Sequence, residues 1–520
     1  MPSEHDVRSP MMRRRGALTL LVGSAAFATS SALLAACGAS TSTTASSSAT
    51  SAAQTASSTA PKATTLASPS STTASSTVVA ANTAKANQFV TANPTAAAQA
   101  AQAYIQKGPQ SGQKPVEYWH MWSGQWEMVV DRIVAWYNTT HKEYFVKPLV
   151  ISGDANAKFL SAVAGGTPPD IMTQWNQVIP TWADQGVLQP LDQLVTPADA
   201  SAFKKWFWPI AWSIGNYKGH QWAAPSTMNS WALMYNKQMF EAAGLDPNKP
   251  PMSTDELDTY AAKLFKYQSN GQIDVAGFIP SWIWQWGDVF GGDFYDENTG
   301  KVTITNPKIV AALTWEVTYS KKYGVQKIAA FQNTISSTIK GVSPFAYGKY
   351  AMAVEGQWVN LDMKHYGPSI QYGVVPQPYP PGGRPKASWV NGNYQIIPKG
   401  AKETQGAFSF LEFWSGFHSP EQLATICTWG GWIPCGPAMT KEKPYLDYLK
   451  EYPNFTPYVE IFQSPNVRIT PKIDEQAYMY DQVTAAESYA TQLQKTPEAA
   501  LQQAQQLVEA RIAADKQNKK

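Results

Sequence analysis

Residues Tyr217–Leu264 read YKGHQWAAPSTMNSWALMYNKQMFEAAGLDPNKPPMSTDELDTYAAKL, and the order of elements they encode decides the fold. Trp231–Tyr235 is an aromatic and aliphatic run of strand length. Asn236 then opens a helix over Lys237–Ala243 that Gly244 ends in a left-handed conformation. Pro247, Pro250 and Pro251 bar its continuation. Ser253 or Thr254 caps a second helix, whose first turn sets Asp255 and Glu256 against the positive end of the helix dipole. Strand, helix, proline-terminated connector and second helix in that order make an α/β unit.

Outward from this stretch the alternation continues. Val116–Trp122 reads as a strand, Gly124–Tyr137 as a helix and Val146–Ile151 as a second strand, a βαβ opening. Ala155–Ala164 supplies a helix ending at Gly165-Gly166, and Pro169–Met172 starts a short strand. With 520 residues, 44% of them hydrophobic and 12% aromatic, the chain has material for two lobes.

The first residues are of another kind. Arg13–Arg15, the apolar stretch Gly16–Leu34 and small residues before a cysteine follow the order of a secretory signal. Leu34-Ala35-Ala36-Cys37 resembles the lipobox of bacterial lipoproteins, which implies a signal peptide over 1–36, a lipid on Cys37 and anchoring to the outer face of the cytoplasmic membrane or in the periplasm. Whether export is by the general or the twin-arginine route stays open. The chain carries a net charge of +3; the four arginines of this segment against Glu4 and Asp6 supply most of it, so no nucleic-acid partner is expected. From Gly38 to Thr83 the chain is nearly all Ser, Thr, Ala and Pro, too polar to repay its own ordering. Residues 37–113 therefore read as a disordered tether with a root-mean-square span of roughly 45–50 Å, interrupted by one Ala-rich helix over Thr95–Lys107. Cys427 and Cys435 flank a turn-rich span, which leaves a disulfide and a pair of buried thiols both open.

The Tyr217–Leu264 stretch also resembles the family 1 extracellular solute-binding proteins of bacterial ABC importers. The shared landmarks are the Pro-containing crossover, Tyr-Asn-Lys, Ala-Gly-Leu-Asp and Pro-Pro before a helix; the family's aromatic-Gly-Lys turn stands here as Tyr217-Lys218-Gly219. Further likenesses are Gly-Thr-x-Pro-Asp at 166–170, Gly348-Lys349-x-Ala351-Met352 with its trailing Gly356-x-Trp358, the Phe-Leu-x-Phe helix, and the Gly430–Pro434 loop. The resemblance runs over roughly Pro115–Lys516. It implies an α/β, two-lobed periplasmic-binding-protein-like fold of type II, with the chain crossing between lobes above a ligand cleft. Lobe one would take 114–226 and 388–440, and lobe two 227–387 and 441–520.

The chain holds 20 tryptophans, several beside Gly, Asn or Pro at strand ends. A pyranose stacks its CH face on an indole and offers hydroxyls to amides and carboxylates, so such placement suits a sugar. Ligands of open α/β sheets bind beyond the carboxyl ends of the strands. That rule nominates Trp122 and Ser123 after the first strand and Trp175 and Asn176 after the third, where the resemblance also implies an aromatic contact. The resemblance implies a polar sugar contact at Asn229 in the crossover and an aromatic one at Trp358, which ends its strand after Glu355. Asn391 and Asn393 lie at the second crossover and Trp432 in the Gly-rich loop, and these three join the candidates with Glu355. Trp282, Trp284 and Trp286 alternate as if on one face of an extended segment, and Trp284 and Trp286 join the candidates. Recognition of phosphate favours arginine, and none of Arg132, Arg384, Arg468 or Arg511 falls in these segments.

The expected function is therefore capture of a neutral mono- or oligosaccharide by hinge closure and delivery to the membrane subunits of an ABC importer. The chain would act as a monomer, with no cofactor, no metal and no catalytic residue. The competing readings are a secreted carbohydrate-active hydrolase with a carboxylate pair, and the same fold holding glycerol phosphate or an amine beside Asp288 or Glu355. No Gly-x-Ser-x-Gly, His-Glu-x-x-His or phosphate-cradling loop is present, and His120, His141, His220, His365 and His418 lack ligand spacing.

Overall fold

In the computed structural model residues 94–518 are described, apart from 337, 339 and 340. The signal segment 1–36, Cys37 and the tether as far as residue 93 lie outside the described residues. Helix α1 (Pro94–Gln106) falls where the Ala-rich sequence predicts a helix within the tether, and it is docked on the folded body. Its alanines 97, 98 and 101 are buried where it packs on α2 (Gln125–Thr140), and Gln102 Nε2 donates to Asp131 Oδ2 at 2.8 Å. Alanine loses no side-chain entropy on docking.

The chain then lays down β1 (Lys114–His120), α2, β2 (Tyr144–Val150), α3 (Ala155–Ala164), β3 (Ile171–Trp175), β4 (Ala223–Asn229) and β5 (Trp231–Asn236). There follow α4 (Lys237–Ala242), α5 (Thr254–Leu264), α6 (Ile283–Phe290), α7 (Pro307–Tyr323), β6 (Met352–Gly356), α8 (Val359–Tyr366) and β7 (Tyr372–Val375). The last elements needed here are β8 (Ser388–Trp389), β9 (Asn391–Ile396), α9 (Thr404–Trp414), α10 (Pro420–Gly430), β10 (Val467–Arg468), α11 (Gln476–Thr491) and α12 (Pro497–Asn518). Five strands form one sheet in the order β2-β1-β3-β9-β4, and three form another in the order β6-β5-β7. The fold is α/β with two lobes, one built on each sheet.

Local chemistry accounts for the elements around the crossover. Asn236 caps α4 by accepting from Met239 N, and Gly244 beyond its end has φ +70°. Ser253 and Glu256 form a reciprocal capping box at the start of α5. In the first sheet, β1 pairs parallel with β2 and with β3, as strands joined through helices must. The returning β9 pairs antiparallel with both β3 and β4.

Only Ser230 separates β4 of the first sheet from β5 of the second. Alternation along β5 divides the hydrophobic interior. Ala232 and Met234 join the core that fills the first lobe. Leu233 and Tyr235 join the second core, which holds residues of α5, α6, α7, α11 and α12. The helices Lys443–Glu451 and Thr456–Phe462 place Tyr445, Tyr448, Tyr458 and Ile461 in the first of these cores, together with Met234 and Val374; the first helix packs on α10 and the second on β5.

Candidate functional site

Register brings the polar candidates of the first lobe to one end of its sheet. Trp175 at the end of β3 pairs with Asn393, and Asn391 pairs with Asn229 at the end of β4. Residues two apart on a strand share a face, so Asn391, Asn393, Trp175 and Asn229 lie on one side of that end. Trp175 is 38% exposed. The asparagines are buried and tied to one another. Asn229 Nδ2 donates to Asn391 Oδ1 at 3.2 Å, Thr227 Oγ1 donates to Asn393 Oδ1 at 2.9 Å, and Asn176 Oδ1 accepts from Gly392 N at 3.4 Å. Gln357, from the turn after β6, donates to Asn229 Oδ1 at 2.9 Å and to Met228 O at 3.3 Å, and accepts from Ser230 N at 3.2 Å. Asn229 is thus a hinge residue whose amide is engaged on both sides, with Gln357 as its partner from the second lobe.

Among the described residues of this sheet, the buried Asn393 Nδ2 has no hydrogen-bond partner. Burial pushes the His120 imidazole down to about 4, so at neutral pH it is uncharged. Beyond β1, half-buried Trp122 stacks on Trp414 with centroids 5.7 Å apart and planes within 6°, and meets Trp432 at 5.4 Å. Ser123 beside it is exposed.

Glycine shapes both the Trp358 and the Trp432 positions. A Cβ on Gly356 would lie 2.1 Å from the Trp358 ring, and one on Gly430 would lie 2.3 Å from the Trp432 ring. Each indole therefore folds back over the glycine two residues before it, which explains the Gly-x-Trp spacing physically. Trp358 is half-buried and meets Trp231 edge-on at 5.6 Å. Trp231 in turn contacts Trp282 at 4.6 Å and Trp389 at 6.0 Å.

The alternation reading of Trp282, Trp284 and Trp286 is overturned. Residues 283–290 are helix α6, so positions two apart do not share a face. Trp284 and Trp286 are 1% and 0% exposed. Trp286 packs in the core against Phe278 and Trp315. Trp284 packs against Phe294 and Tyr480 and borders a cavity of about 550 Å³ that is also lined by Asp288, Trp389 and Arg468. Half-buried Trp282, at the N-cap with φ +75°, is the one of the three that reaches the Trp231 cluster. Trp231 and Gln357 were not among the sequence candidates, and Trp282 entered only through the alternation reading.

Carboxylates link the lobes. Asp362 on α8 accepts from Gln125 Nε2, in the first turn of α2, at 2.7 Å and from Ser343 N at 3.3 Å. Ser343 Oγ donates to Glu355 Oε1 at 2.6 Å. Burial pushes the Asp362 carboxyl up to about 6 and that of Glu355 up to about 7. An unfolded glutamate releases its proton near pH 4.3 and folded Glu355 keeps it to about 7. Its contribution is therefore fully present below the lower value and is lost as pH rises through the upper one. Glu355→Gln is expected to flatten the pH dependence of the unfolding midpoint between these limits. An unchanged slope in thermal melts from pH 4 to 8 would contradict the assignment.

Among the described residues no group of three or more His, Cys, Asp or Glu side chains is placed to hold a metal ion. Of the four arginines there, Arg384 Nη2 and Arg468 Nε share the Asp293 carboxylate at 2.6 and 2.8 Å. Arg132 lies 3.9 Å over the Trp429 ring, and Arg511 pairs with Asp515 at 2.7 Å.

Residues 132–457 match the family model described as bacterial extracellular solute-binding protein. The solved structure of CpMnBP1 with mannobiose bound is 33% identical, covering 75% of this chain and 98% of its own, at a TM-score of 0.67. The maltotriose-binding protein of Pyrococcus abyssi is 24% identical over 278 residues, 52% of this chain and 56% of that protein, so the chain spans little more than half of this relative's length. The sn-glycerol-3-phosphate-binding periplasmic protein of Salmonella typhimurium is 25% identical over 359 residues, 64% of this chain and 77% of that protein.

Proposed function

The chain belongs to the bacterial extracellular solute-binding proteins, an extracytoplasmic family, and from that premise we propose that it captures a neutral saccharide between its lobes for an ABC importer, with short mannose oligosaccharides the first ligands to try. One observation carries the reading. Trp122 and Trp175 at the end of one sheet, and Trp358 and Trp282 in the other lobe, offer aromatic surface on both sides of a one-residue crossover lined with amides. Indole faces bind the apolar side of a pyranose, and amides bind its hydroxyls. The 33% identity to a mannobiose-bound structure over nearly all of that chain supports mannosides ahead of other sugars.

Charge argues against glycerol phosphate, despite the likeness to a protein that binds it. A phosphate needs guanidinium or ammonium groups free to fork onto it, and among the described residues Arg384 and Arg468 share the Asp293 carboxylate, Arg132 lies over Trp429 and Arg511 pairs with Asp515. Closure is favoured when the ligand gains contacts to the second lobe that the open form lacks, and the Gln125–Asp362 bond would then clasp the lobes. The same reading gives the chain a lipid on Cys37, a flexible tether to the membrane surface, a monomeric state and no chemistry performed on the ligand; the Leu34–Cys37 sequence supports the anchor.

Calorimetric titration with mannobiose, maltotriose and sn-glycerol-3-phosphate tests the proposal. Saturable binding of a neutral saccharide at one site, with none of the phosphate, is the expected result. Binding of the phosphate alone, or of no saccharide by folded protein, overturns it.

A further inference from the structure

The loop that carries Trp432 is flanked by two cysteines. Cys427 lies in the last turn of α10, and both Cys427 and Cys435 are free thiols with no solvent exposure. The chain between them is folded tightly back. Gly431 takes φ +63° past the helix end, and Trp432 N donates to Cys427 O at 2.9 Å. An isolated bridge between Ile433 and Met228 then pins the returning segment against β4.

This path brings Cys435 back beside Cys427, whose thiol is raised first by the Cys435 side chain and then by burial. Cys435 Sγ lies 3.9 Å from Ser226 O. A covalent bond of about 2.05 Å would replace that thiol–thiol interaction. No metal-binding group gathers around them among the described residues, which removes the usual alternative for paired cysteines. The family acts outside the cytoplasm, where disulfides form and persist.

We propose that Cys427 and Cys435 form a disulfide in the exported protein, closing the loop of Trp432. The oxidant is a disulfide donor, either a small-molecule disulfide or the disulfide of an oxidoreductase. One cysteine thiolate attacks a donor sulfur and expels the other donor sulfur as a thiolate. The second cysteine then attacks the mixed disulfide, forming the Cys427–Cys435 bond and releasing the remaining donor thiol. Two electrons and two protons pass to the donor, which leaves as two thiols. The Cys435 side chain and then burial hold the Cys427 thiol protonated once the loop has packed, so the exchange belongs to folding, before the loop closes.

The bond would hold Trp432 against Trp122 and Trp414, which lie 5.4 and 6.0 Å away. Its effect on a ligand rests on the reading of the cleft above; its existence does not. The test is therefore made without ligand. The full chain, exported by its own signal in a bacterial host, is denatured in iodoacetamide without reductant, digested and weighed by mass spectrometry. With a chymotryptic digest, which cuts after Trp429 or Trp432 between the cysteines, the expected result is one linked pair of peptides, two hydrogens lighter than the sum of the free peptides, with neither cysteine alkylated until dithiothreitol is added. In Cys435→Ser the remaining Cys427 should be alkylated at once. Full alkylation of both cysteines in the unreduced wild-type protein overturns the proposal, and because that measurement uses the wild-type chain it does not depend on the variant folding.

Discussion

Trp358→Ala is expected to weaken binding of a neutral saccharide about thirtyfold, while the protein stays folded. The ring is half-buried, so one side is committed to Trp231 and to the backbone of Gly356 and the remainder is available. Truncating a central aromatic anchor of a binding site costs about 2 kcal/mol, and each 1.4 kcal/mol is about tenfold in affinity. Trp358→Phe retains a smaller stacking face and should lose less. Gly356→Ala serves as a control, because a methyl there displaces the indole without removing it and should move affinity in the same direction. Calorimetry against the best saccharide reads all three, and a Trp358→Ala affinity within twofold of wild type would remove this residue from the site.

How far the sequence could be read depends on whether a signal is local. The helix at Thr254–Leu264 was legible because its start is written within four residues, Ser253 to Glu256. Trp231–Asn236 was legible as a strand, since both of its faces are apolar and a turn-forming connector follows. Helix α6 was not. Its Trp-x-Trp-x-Trp spacing imitates a strand, and what fixes its first turn comes from far along the chain. The Glu487 carboxylate, on α11, accepts from the backbone N–H of both Trp282 and Ile283, doing the work of an N-cap at the positive end of the helix. No pattern around residue 282 encodes that partner.

The candidate site divides in the same way. Strand-end residues such as Trp122 and Trp175 could be nominated from the position of their strands. The amide ladder joining Asn229, Asn391 and Gln357 depends on pairing between segments more than a hundred residues apart, which only the register of β9 and β4 reveals. The Ala-rich helix shows the converse. Its helicity was readable from composition, but its docking on α2 was not, because a row of alanines looks the same whether it is packed or free.

Glu316→Met is expected to stabilise the protein, by about 1–3 kcal/mol at neutral pH. Glu316 sits on α7 in the second core, 1% exposed, and neither carboxyl oxygen has a hydrogen-bond partner. Burial first, and then the charge of Glu487, hold its proton affinity well above the usual range. Methionine fills a similar volume with no polar atom to desolvate. The pH dependence separates the two costs of the native residue. The unfolded chain loses this proton near pH 4.3 whereas the folded chain retains it, so above that pH the folded state binds more protons and stability falls as pH rises. Glu316→Gln removes the titration but keeps a buried polar group, so its advantage over wild type should grow from acid toward neutral pH and vanish at pH 4. Glu316→Met should exceed Glu316→Gln at every pH. Urea melts of the three proteins at pH 4, 6 and 8 give the comparison, and a methionine variant less stable than wild type would mean that the carboxyl holds a native interaction in this core.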